Sequence, residues 1–227
     1  MRYILIPVKD LSQAKLRLAG LMTPEERKRL AWAMLERTFT EAARVQNVAR
    51  VAVVSSYEPA LEVAERYGMQ MVVESEQTSE SASIDFGSRR LEQLGAGAVL
   101  RLPIDLPLIT AEDIEEVLAL DVPAPSTVIV PSRDGVGTNA ILRRPPTLFQ
   151  SHFGPDSLEK HLAEARLANA QCEIIHLDGI GLDIDEPADI AELMKRKELT
   201  TIHDVLKDMG IAQRLRDFGF WIEERGA

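Results

Sequence analysis

The amino-acid sequence has 227 residues, a single cysteine and no apolar run long enough to cross a membrane. One thiol excludes an internal disulfide bond and any cysteine-rich zinc site, so we expect Cys172 to be a small core residue on a strand. The N-terminus enters a predicted strand and shows no small-residue cleavage site. Together with the absence of a spanning segment, this predicts a cytoplasmic protein with no membrane partner.

Basic residues are scarce as well. Lys and Arg number 26 against 36 Asp and Glu, which gives a formal net charge of -10. This balance disfavours nucleic acids and anionic membranes as partners, because both would repel the chain. A small anionic ligand would require a local positive excess, and the sequence offers one beside an apolar strand, formed by Lys9, Lys15 and Arg17.

Two common phosphate-binding motifs are missing. The chain has neither a Walker loop nor a Gly-x-Gly-x-x-Gly pattern after its first predicted strand, which disfavours P-loop kinases and Rossmann dehydrogenases. The segment from Lys9 to Arg17 instead places three cations directly after that strand, where a loop can wrap a polyphosphate. A solvated, lysine-rich helix start is the alternative explanation.

Short β-rich runs alternate with helical patterns along most of the chain. The clearest helix runs to about Arg44 from Thr23, which can cap it, with Pro24 at the first position and Glu26 completing a capping box. The alternation predicts an α/β fold with a mainly parallel sheet and helices on both faces. Predicted strands cover residues 3–8, 50–55, 70–73, 98–102, 127–131 and 171–177, and further helices cover residues 58–67, 84–94, 110–120, 156–168 and 187–197.

The pattern changes near the C-terminus. Two short amphipathic helices are predicted at residues 200–207 and 211–218, before the aromatic sequence Phe218-Gly219-Phe220-Trp221-Ile222. An unburied aromatic cluster would be adhesive, so we expect it to dock on its own domain; a subunit contact, and thus a homodimer, is the alternative. The predicted units are a domain over residues 1–197 and a helical appendage over residues 198–227.

Two acidic segments are candidates for a metal site. Asp105 follows a mostly apolar run, and a proline two residues later prevents easy continuation as strand or helix. Ligands bind at the carboxyl edge of open α/β sheets, where Asp105 could hold a divalent cation on a phosphate chain. Asp183 and Asp185 alternate, and Asp105 with Asp185 can form a carboxylate clamp for magnesium. Alternatively, Asp105 opens a turn and Asp185 caps the next helix.

Small and hydroxylated residues form a third candidate group. Gly135 and Gly137 permit a close backbone approach, and Thr138 offers a hydroxyl. Residues 154–157 open a predicted helix whose free amides attract an anion. A hairpin turn and an ordinary helix cap explain these features separately. Together they predict a second anion pocket, distinct from that of Lys15.

Six segments of the chain match the pattern of one enzyme family. They are Pro7-Val8-Lys9, Ala14-Lys15-Leu16-Arg17-Leu18, Asp105-Leu106-Pro107-Leu108, Gly135-Val136-Gly137-Thr138-Asn139, Phe153-Gly154-Pro155-Asp156-Ser157 and Asp183-Ile184-Asp185-Glu186-Pro187. In this order they resemble the guanylyltransferases that make the GDP-linked precursor of the deazaflavin coenzyme F-420 from phosphoenolpyruvate, 2-phospho-L-lactate or 3-phospho-D-glycerate. The resemblance runs from about residue 3 to residue 195. It implies a Rossmann-like fold similar to that of nucleotide-diphospho-sugar transferases, with GTP and magnesium.

The resemblance also implies roles for individual residues. The expected GTP-phosphate ligands are Lys9, Lys15 and Arg17. The expected magnesium ligands are Asp105, Asp185 and Asp183, and the expected ligands of the acceptor phosphate are Thr138, Gly154 and Ser157. The residues expected to carry the reaction are Lys15, Arg17 and Asp105. Residues 79–85 depart from a turn that many relatives carry near the base and the acceptor, which leaves both the base contacts and the acceptor choice open.

The sequence thus predicts an enzyme that transfers GMP from GTP to the phosphate of a three-carbon acid and releases pyrophosphate. One alternative is a nucleotidyltransferase of similar fold that acts on a sugar phosphate or a molybdopterin. The other is a nucleotide-binding regulator without catalysis. The joint presence of Lys15, Asp105 and Asp185 disfavours the regulator, because a binder without turnover has less need of both metal carboxylates.

Overall fold

The structure, a computed structural model, describes residues 1–45 and 48–220. Trp221 and Ile222 of the predicted aromatic cluster therefore lie outside the described residues. No helix within the described ranges is long and apolar enough to cross a membrane.

In the described residues, seven strands form one mixed sheet in the order β3-β2-β1-β4-β6-β5-β7. β1 pairs in parallel with β2 and β4, β2 with β3, and β5 with β7, whereas β6 runs antiparallel to both β4 and β5. The predicted mainly parallel sheet is confirmed. The strands are β1 (Arg2–Pro7), β2 (Arg50–Ser55), β3 (Gln70–Val73), β4 (Ala98–Arg101), β5 (Ser126–Pro131), β6 (Thr138–Arg144) and β7 (Gln171–Ile174).

Helices connect most of these strands. The first begins as predicted, because the Thr23 hydroxyl accepts from the amide of Glu26 at 3.2 Å while the Glu26 carboxylate accepts from the amide of Thr23 at 2.9 Å. Two 3₁₀ turns, Leu11–Gln13 and Leu16–Leu18, precede it. The helices are α1 (Pro24–Arg44), α2 (Glu58–Arg66), α3 (Glu80–Gln93), α4 (Ala111–Ala119), α5 (Ser157–Leu167), α6 (Asp178–Gly181), α7 (Pro187–Lys195), α8 (Thr201–Asp208) and α9 (Ile211–Asp217).

The central strand β1 is covered on both faces. Its side chains alternate between the two sides of the sheet, as the period of a strand requires. Ile4 and Ile6 lie in the core that includes residues of α1, α2 and α4, whereas Tyr3 and Leu5 pack against residues of α3. Because helices cover both faces, the functional groups of the loops gather at the carboxyl edge of the sheet.

Three local predictions are corrected. The segment Thr138–Arg144, for which no strand was predicted, is the fully buried strand β6. Helix α3 begins at Glu80 and not at Ile84, because the hydroxyl of Ser79 accepts from the amide of Ala82 and caps it. Cys172 lies on a strand but is exposed, because β7 is a short strand at the edge of the sheet.

The C-terminal helices pack against the first helix and the loop before it. Ile202, Leu206, Ile211 and Leu215 of α8 and α9 share one buried cluster with Leu18, Leu30 and Met34. Two ion pairs reinforce this contact, with Arg214 donating to both carboxylate oxygens of Glu26 at 2.7 and 2.8 Å and Arg29 donating to Asp208 at 2.9 Å. The division of the chain into a domain over residues 1–197 and a helical appendage over residues 198–227 stays a prediction.

We expect acid to weaken the contact between Glu26 and Arg214. The hydrogen bond from Arg214 lowers the pKa of Glu26 from 4.5 to about 2. The folded state therefore prefers the carboxylate, so this stabilisation is complete above about pH 4.5 and is lost as the pH falls toward 2. Urea unfolding at successive pH values should show Glu26→Gln less stable than the wild type at pH 6, with the difference shrinking below pH 4.5.

Glu25→Gln is the matched control, because Glu25 occupies the same helical turn but is exposed. A difference between wild type and Glu26→Gln that stays constant down to about pH 2 would contradict the assignment.

Candidate active site

Three carboxylates meet at the carboxyl edge of the sheet. Asp105 follows strand β4, while Asp183 and Asp185 lie between helices α6 and α7. The amide of Ile184 donates to the backbone carbonyl of Asp105 at 3.1 Å and joins the two segments. One oxygen from each carboxylate lies within 4.8 Å of the others. The predicted gathering of these residues is thus present in the structure.

Lys15 lies between two of these carboxylates. Its ammonium group donates to Asp105 at 2.8 Å and to Asp185 at 2.9 Å, and its side chain is 11% exposed. Burial alone would lower the pKa of Lys15, but the two carboxylates raise it above its ordinary value. For Asp105, burial favours the protonated form, and the nearby Lys15 charge outweighs it and lowers the pKa of Asp105. The ammonium and the Asp105 carboxylate therefore hold each other in their charged forms.

The pKa of Asp183 shifts in the opposite direction to that of Asp105, and the Lys15 ammonium donates to the other two carboxylates. Its carboxylate accepts from the amide of Asn139 at 3.1 Å. Burial, followed by the negative charge of Asp105, raises the pKa of Asp183 to about 6. The same Asn139 amide also donates to the carbonyls of Ile180 and Gly181, at 2.8 and 3.1 Å, which fixes its position.

Asp185 does not cap helix α7. The amides of Asp185 and Glu186 both donate to the carboxylate of Asp189, at 2.9 and 2.7 Å. The side chain of Asp185 is thereby left to the cluster with Asp105. This geometry removes the alternative explanation for Asp185 as an N-cap.

The cluster suits a hard divalent cation. Magnesium prefers oxygen ligands, commonly carboxylates together with substrate phosphates. Three converging carboxylates face one ammonium group, so the site carries excess negative charge, which adds to burial in raising the pKa of Asp183. The donor set therefore fits magnesium, which Asp105, Asp183 and Asp185 could hold.

The basic loop is held in a specific shape. Lys15 has a left-handed backbone with a φ of 54°, which reverses the chain between the two 3₁₀ turns. The buried guanidinium of Arg27 donates to the carbonyls of Ala14 at 3.3 Å and Met22 at 3.0 Å. Arg17 is exposed and pairs with Glu186 at 3.2 Å, while Lys9 is exposed on the wall of a cavity.

Two adjoining cavities open on the cluster. The first has a volume of about 550 Å³ and the second about 500 Å³. The basic loop, including Lys9 and Lys15, lines the second cavity, whereas Thr138, Gly154 and Ser157 line the first. The residues that line both are Arg17, Glu80, Arg101, Pro103, Asp105 and Asp185. Asp105 and Asp185 thus lie where the two cavities adjoin, and the binding of an anion in each cavity stays a prediction.

The first cavity contains the start of helix α5. Gly154 has a φ of +107°, which a side chain would strain, and Asp156 before the helix makes no capping hydrogen bond. The side chains of Thr138 and Ser157 are buried against this cavity. In this first turn the amide of Leu158 donates to the carbonyl of Val136 at 3.1 Å. The helix start beside two hydroxyls is still a suitable environment for an anion.

The sequence interpretation missed the pair of Arg101 and Glu80. Arg101 ends strand β4, donates to Glu80 and to the carbonyl of Asn139 at 2.8 Å, and lies 4.1 Å from the ring centroid of Phe153. The position of a charged residue inside an apolar strand could have indicated that Arg101 has an acidic partner, because a buried guanidinium requires partners. Glu80, from the unusual segment 79–85, thus lines both cavities.

Comparisons with known proteins identify relatives of this chain. A phosphoenolpyruvate guanylyltransferase from Rubrobacter xylanophilus is 36% identical over 191 residues, which cover 84% of this chain and 92% of that protein. A 3-phospho-D-glycerate guanylyltransferase from Colwellia psychrerythraea is 28% identical over 187 residues, covering 82% and 88% of the two chains. The matched residues cover most of the length of each relative.

Solved structures support the fold. A putative nucleotide-diphospho-sugar transferase from Desulfovibrio desulfuricans superposes with a TM-score of 0.77 at 16% identity, covering 96% of this chain and 97% of the other. A nucleotidyl transferase from Methanothermobacter superposes with a TM-score of 0.61 at 14% identity, covering 92% and 99%. The family described as "Guanylyl transferase CofC like" matches residues 1–217. The chain therefore belongs to the CofC-like guanylyl transferases.

Proposed function

We propose that the protein transfers GMP from GTP to the phosphate of a three-carbon phospho-acid. The observation that carries this proposal is the pair of cavities with Asp105 and Asp185 in their common wall. We assign the second cavity, with Lys9, Lys15 and Arg17, to the GTP phosphates. We assign the first cavity, with Thr138, Gly154 and Ser157, to the acceptor phosphate.

The reaction joins two phosphates. A phosphate oxygen of the acceptor forms a bond to the α-phosphorus of GTP, the bond from that phosphorus to the β-phosphate bridging oxygen breaks, and pyrophosphate leaves with the electron pair. No general base is required because the nucleophile is already an anion. The protein's task is to bring two anions together in the right orientation.

This task is electrostatic. At a separation of ~4 Å and an effective dielectric of ~20, each pair of like charges costs about 4 kcal/mol. Lys15 and Arg17 offset part of this repulsion from the GTP side, and the helix start at Ser157 offsets part from the acceptor side. Magnesium, when bound by Asp105, Asp183 and Asp185, supplies further positive charge to the phosphates.

The names of the relatives indicate the acceptor class. Relatives between 32% and 36% identical are named phosphoenolpyruvate guanylyltransferases, so we propose phosphoenolpyruvate as the preferred acceptor. A competition assay with GTP and equal amounts of phosphoenolpyruvate, 2-phospho-L-lactate and 3-phospho-D-glycerate, with products identified by mass, tests the choice.

Homodimerisation stays a prediction, which analytical ultracentrifugation would test.

A pyrophosphate-release assay tests the reaction itself. We expect release that requires both GTP and a phospho-acid, with a GDP-linked product. Release with sugar phosphates in place of phospho-acids would indicate the related nucleotidyltransferase class. Nucleotide binding without pyrophosphate release with any acceptor would identify a regulator.

Loss of the Ser157 hydroxyl should weaken acceptor use. Ser157 is 3% exposed and begins helix α5 on the wall of the first cavity. A hydrogen bond to a charged group contributes ~1.5 to 3 kcal/mol, so Ser157→Ala should lower kcat/KM for the acceptor roughly ten- to a hundredfold. The KM for GTP should barely change in the same steady-state measurements.

Thr201→Ala is the matched control, because Thr201 is the first residue of helix α8 but is exposed in the appendage. If Ser157→Ala weakens the use of GTP and acceptor alike, the assignment of two pockets is wrong, and Ser157 acts by stabilising the helix start.

A further inference from the structure

One fully buried histidine lies directly behind the first cavity. His161, on helix α5, has no exposed surface, although its imidazole is a polar group that can carry charge. The ring packs edge-on against Phe153 with a centroid separation of 4.9 Å. Packing alone does not require a histidine here, because an apolar side chain would fill the same space without a polar group to satisfy.

The hydrogen bonds of His161 determine which ring nitrogen carries the proton. The backbone amide of His152 donates to Nε2 at 3.0 Å, so Nε2 is the unprotonated nitrogen. Burial, followed by the positive charges of Arg143 and Arg101, lowers the pKa of His161 to about 3. The ring is therefore neutral near pH 7, and its single proton is on Nδ1.

This tautomer determines the role of Thr138. Nδ1 of His161 lies 3.0 Å from the Thr138 hydroxyl oxygen, so the imidazole donates and the hydroxyl accepts. The hydroxyl proton of Thr138 must then point elsewhere. Thr138 is 6% exposed, lines the first cavity, and has no acceptor for this proton among the described residues.

We propose that His161 is a positioning residue that fixes the Thr138 hydroxyl as a hydrogen-bond donor toward the acceptor phosphate. The proposal rests on the proposed function, because it takes the first cavity as the acceptor site. Because one lone pair of the hydroxyl oxygen accepts from Nδ1, the hydroxyl proton is directed to an acceptor oxygen in the cavity. The arrangement therefore favours the deprotonated phosphate oxygens of the acceptor, which accept the oriented proton in a charge-assisted hydrogen bond.

The first test is spectroscopic and does not depend on activity. Long-range proton–nitrogen NMR spectra distinguish protonated from unprotonated imidazole nitrogens. In the free wild-type protein we expect the His161 signals of a neutral ring with a proton on Nδ1, unchanged between pH 7 and pH 5. A proton on Nε2, or a doubly protonated ring, would overturn the proposal even if guanylyl transfer is confirmed.

The second test is a double-mutant cycle on acceptor binding. His161→Leu and Thr138→Val should each raise the KM for the phospho-acid about tenfold, the effect of one hydrogen bond worth ~1.4 kcal/mol, while the KM for GTP stays unchanged. The double variant should be no worse than Thr138→Val, because the imidazole acts only through the hydroxyl. Additive effects, or equal effects on GTP and acceptor, would overturn the proposal.

Two further variants separate positioning from packing. His161→Asn should retain more acceptor use than His161→Leu, because the side-chain amide can replace the Nδ1 proton as donor to Thr138. His176→Leu is the control, since His176 is exposed outside the first cavity, and it should behave like the wild type. If the Asn and Leu variants, both shown to be folded by thermal unfolding, are equally impaired, His161 acts by packing and the proposal fails.

Discussion

Asp105→Asn should lower the turnover of guanylyl transfer at least ~10²-fold, the scale of losing one preorganised contact to the transition state. The carboxylate of Asp105 borders both cavities, lies within 4.8 Å of Asp183 and Asp185, and accepts from Lys15 at 2.8 Å. An amide keeps the shape but removes the charge that pairs with Lys15 and that we propose as a magnesium ligand. Steady-state kinetics over a range of magnesium concentrations measures the effect.

The fold should survive this substitution. Asp105 joins the neighbouring segment through its backbone carbonyl, which Ile184 still contacts in the variant, and its side chain is 26% exposed. The melting temperature of the variant should therefore stay close to that of the wild type. Asp178→Asn is the control, because that carboxylate is 91% exposed and lines neither cavity. A near-normal rate of Asp105→Asn at limiting magnesium would show that Asp105 only shapes a turn.

The sequence predicted the features that depend on short-range patterns. The capping box of Thr23 and Glu26 marked the start of α1, and the β-rich runs marked the strands around β1. The place of Asp105 at the carboxyl edge of the sheet was also predictable, because it follows strand β4, whereas Asp183 and Asp185 reach it from the loop between α6 and α7. These signals are local or follow from topology.

The features that were missed depend on distant partners. Strand β6 carries Arg143 and Arg144, which appear polar in the sequence and yet are buried. Arg143 donates to the carbonyl of Phe149 at 2.6 Å and to Ser88 at 3.0 Å, whereas Arg144 donates to backbone carbonyls of the loop between α4 and β5. Such contacts satisfy a buried guanidinium, but no pattern around residue 143 reveals them.

The same reasoning applies to the site. Arg101 was included in an apolar run, and its partner Glu80 lies 21 positions away in the chain. The hydrogen bond from His161 to Thr138 depends on the packing of α5 against β6, which the sequence did not predict because β6 itself was missed. Cys172 was misplaced because its strand is at an edge, a property of strand order and not of local composition.

Lys15→Ala should impair GTP use and at the same time strengthen magnesium binding to the free enzyme. The Lys15 ammonium donates to Asp105 and Asp185, which are two of the three proposed magnesium ligands. The ammonium therefore competes with a cation for the same oxygens before GTP binds. Without it, the carboxylates repel each other, and at ~4 Å with a dielectric of ~20 this repulsion is about 4 kcal/mol per pair.

We expect the midpoint of the magnesium-induced rise in melting temperature to fall at least about tenfold in Lys15→Ala, equal to ~1.4 kcal/mol. The KM for GTP should rise and kcat should fall, because the variant lacks the buried Lys15 ammonium that we propose as a ligand of the GTP phosphates. Lys28→Ala should change neither quantity, since Lys28 is exposed on helix α1. If both variants weaken GTP use equally, the basic loop acts through bulk charge. If the magnesium midpoint of Lys15→Ala is unchanged, the ion pairs of Lys15 do not lie at the metal site, because removing the competing ammonium would then free no ligand for the cation.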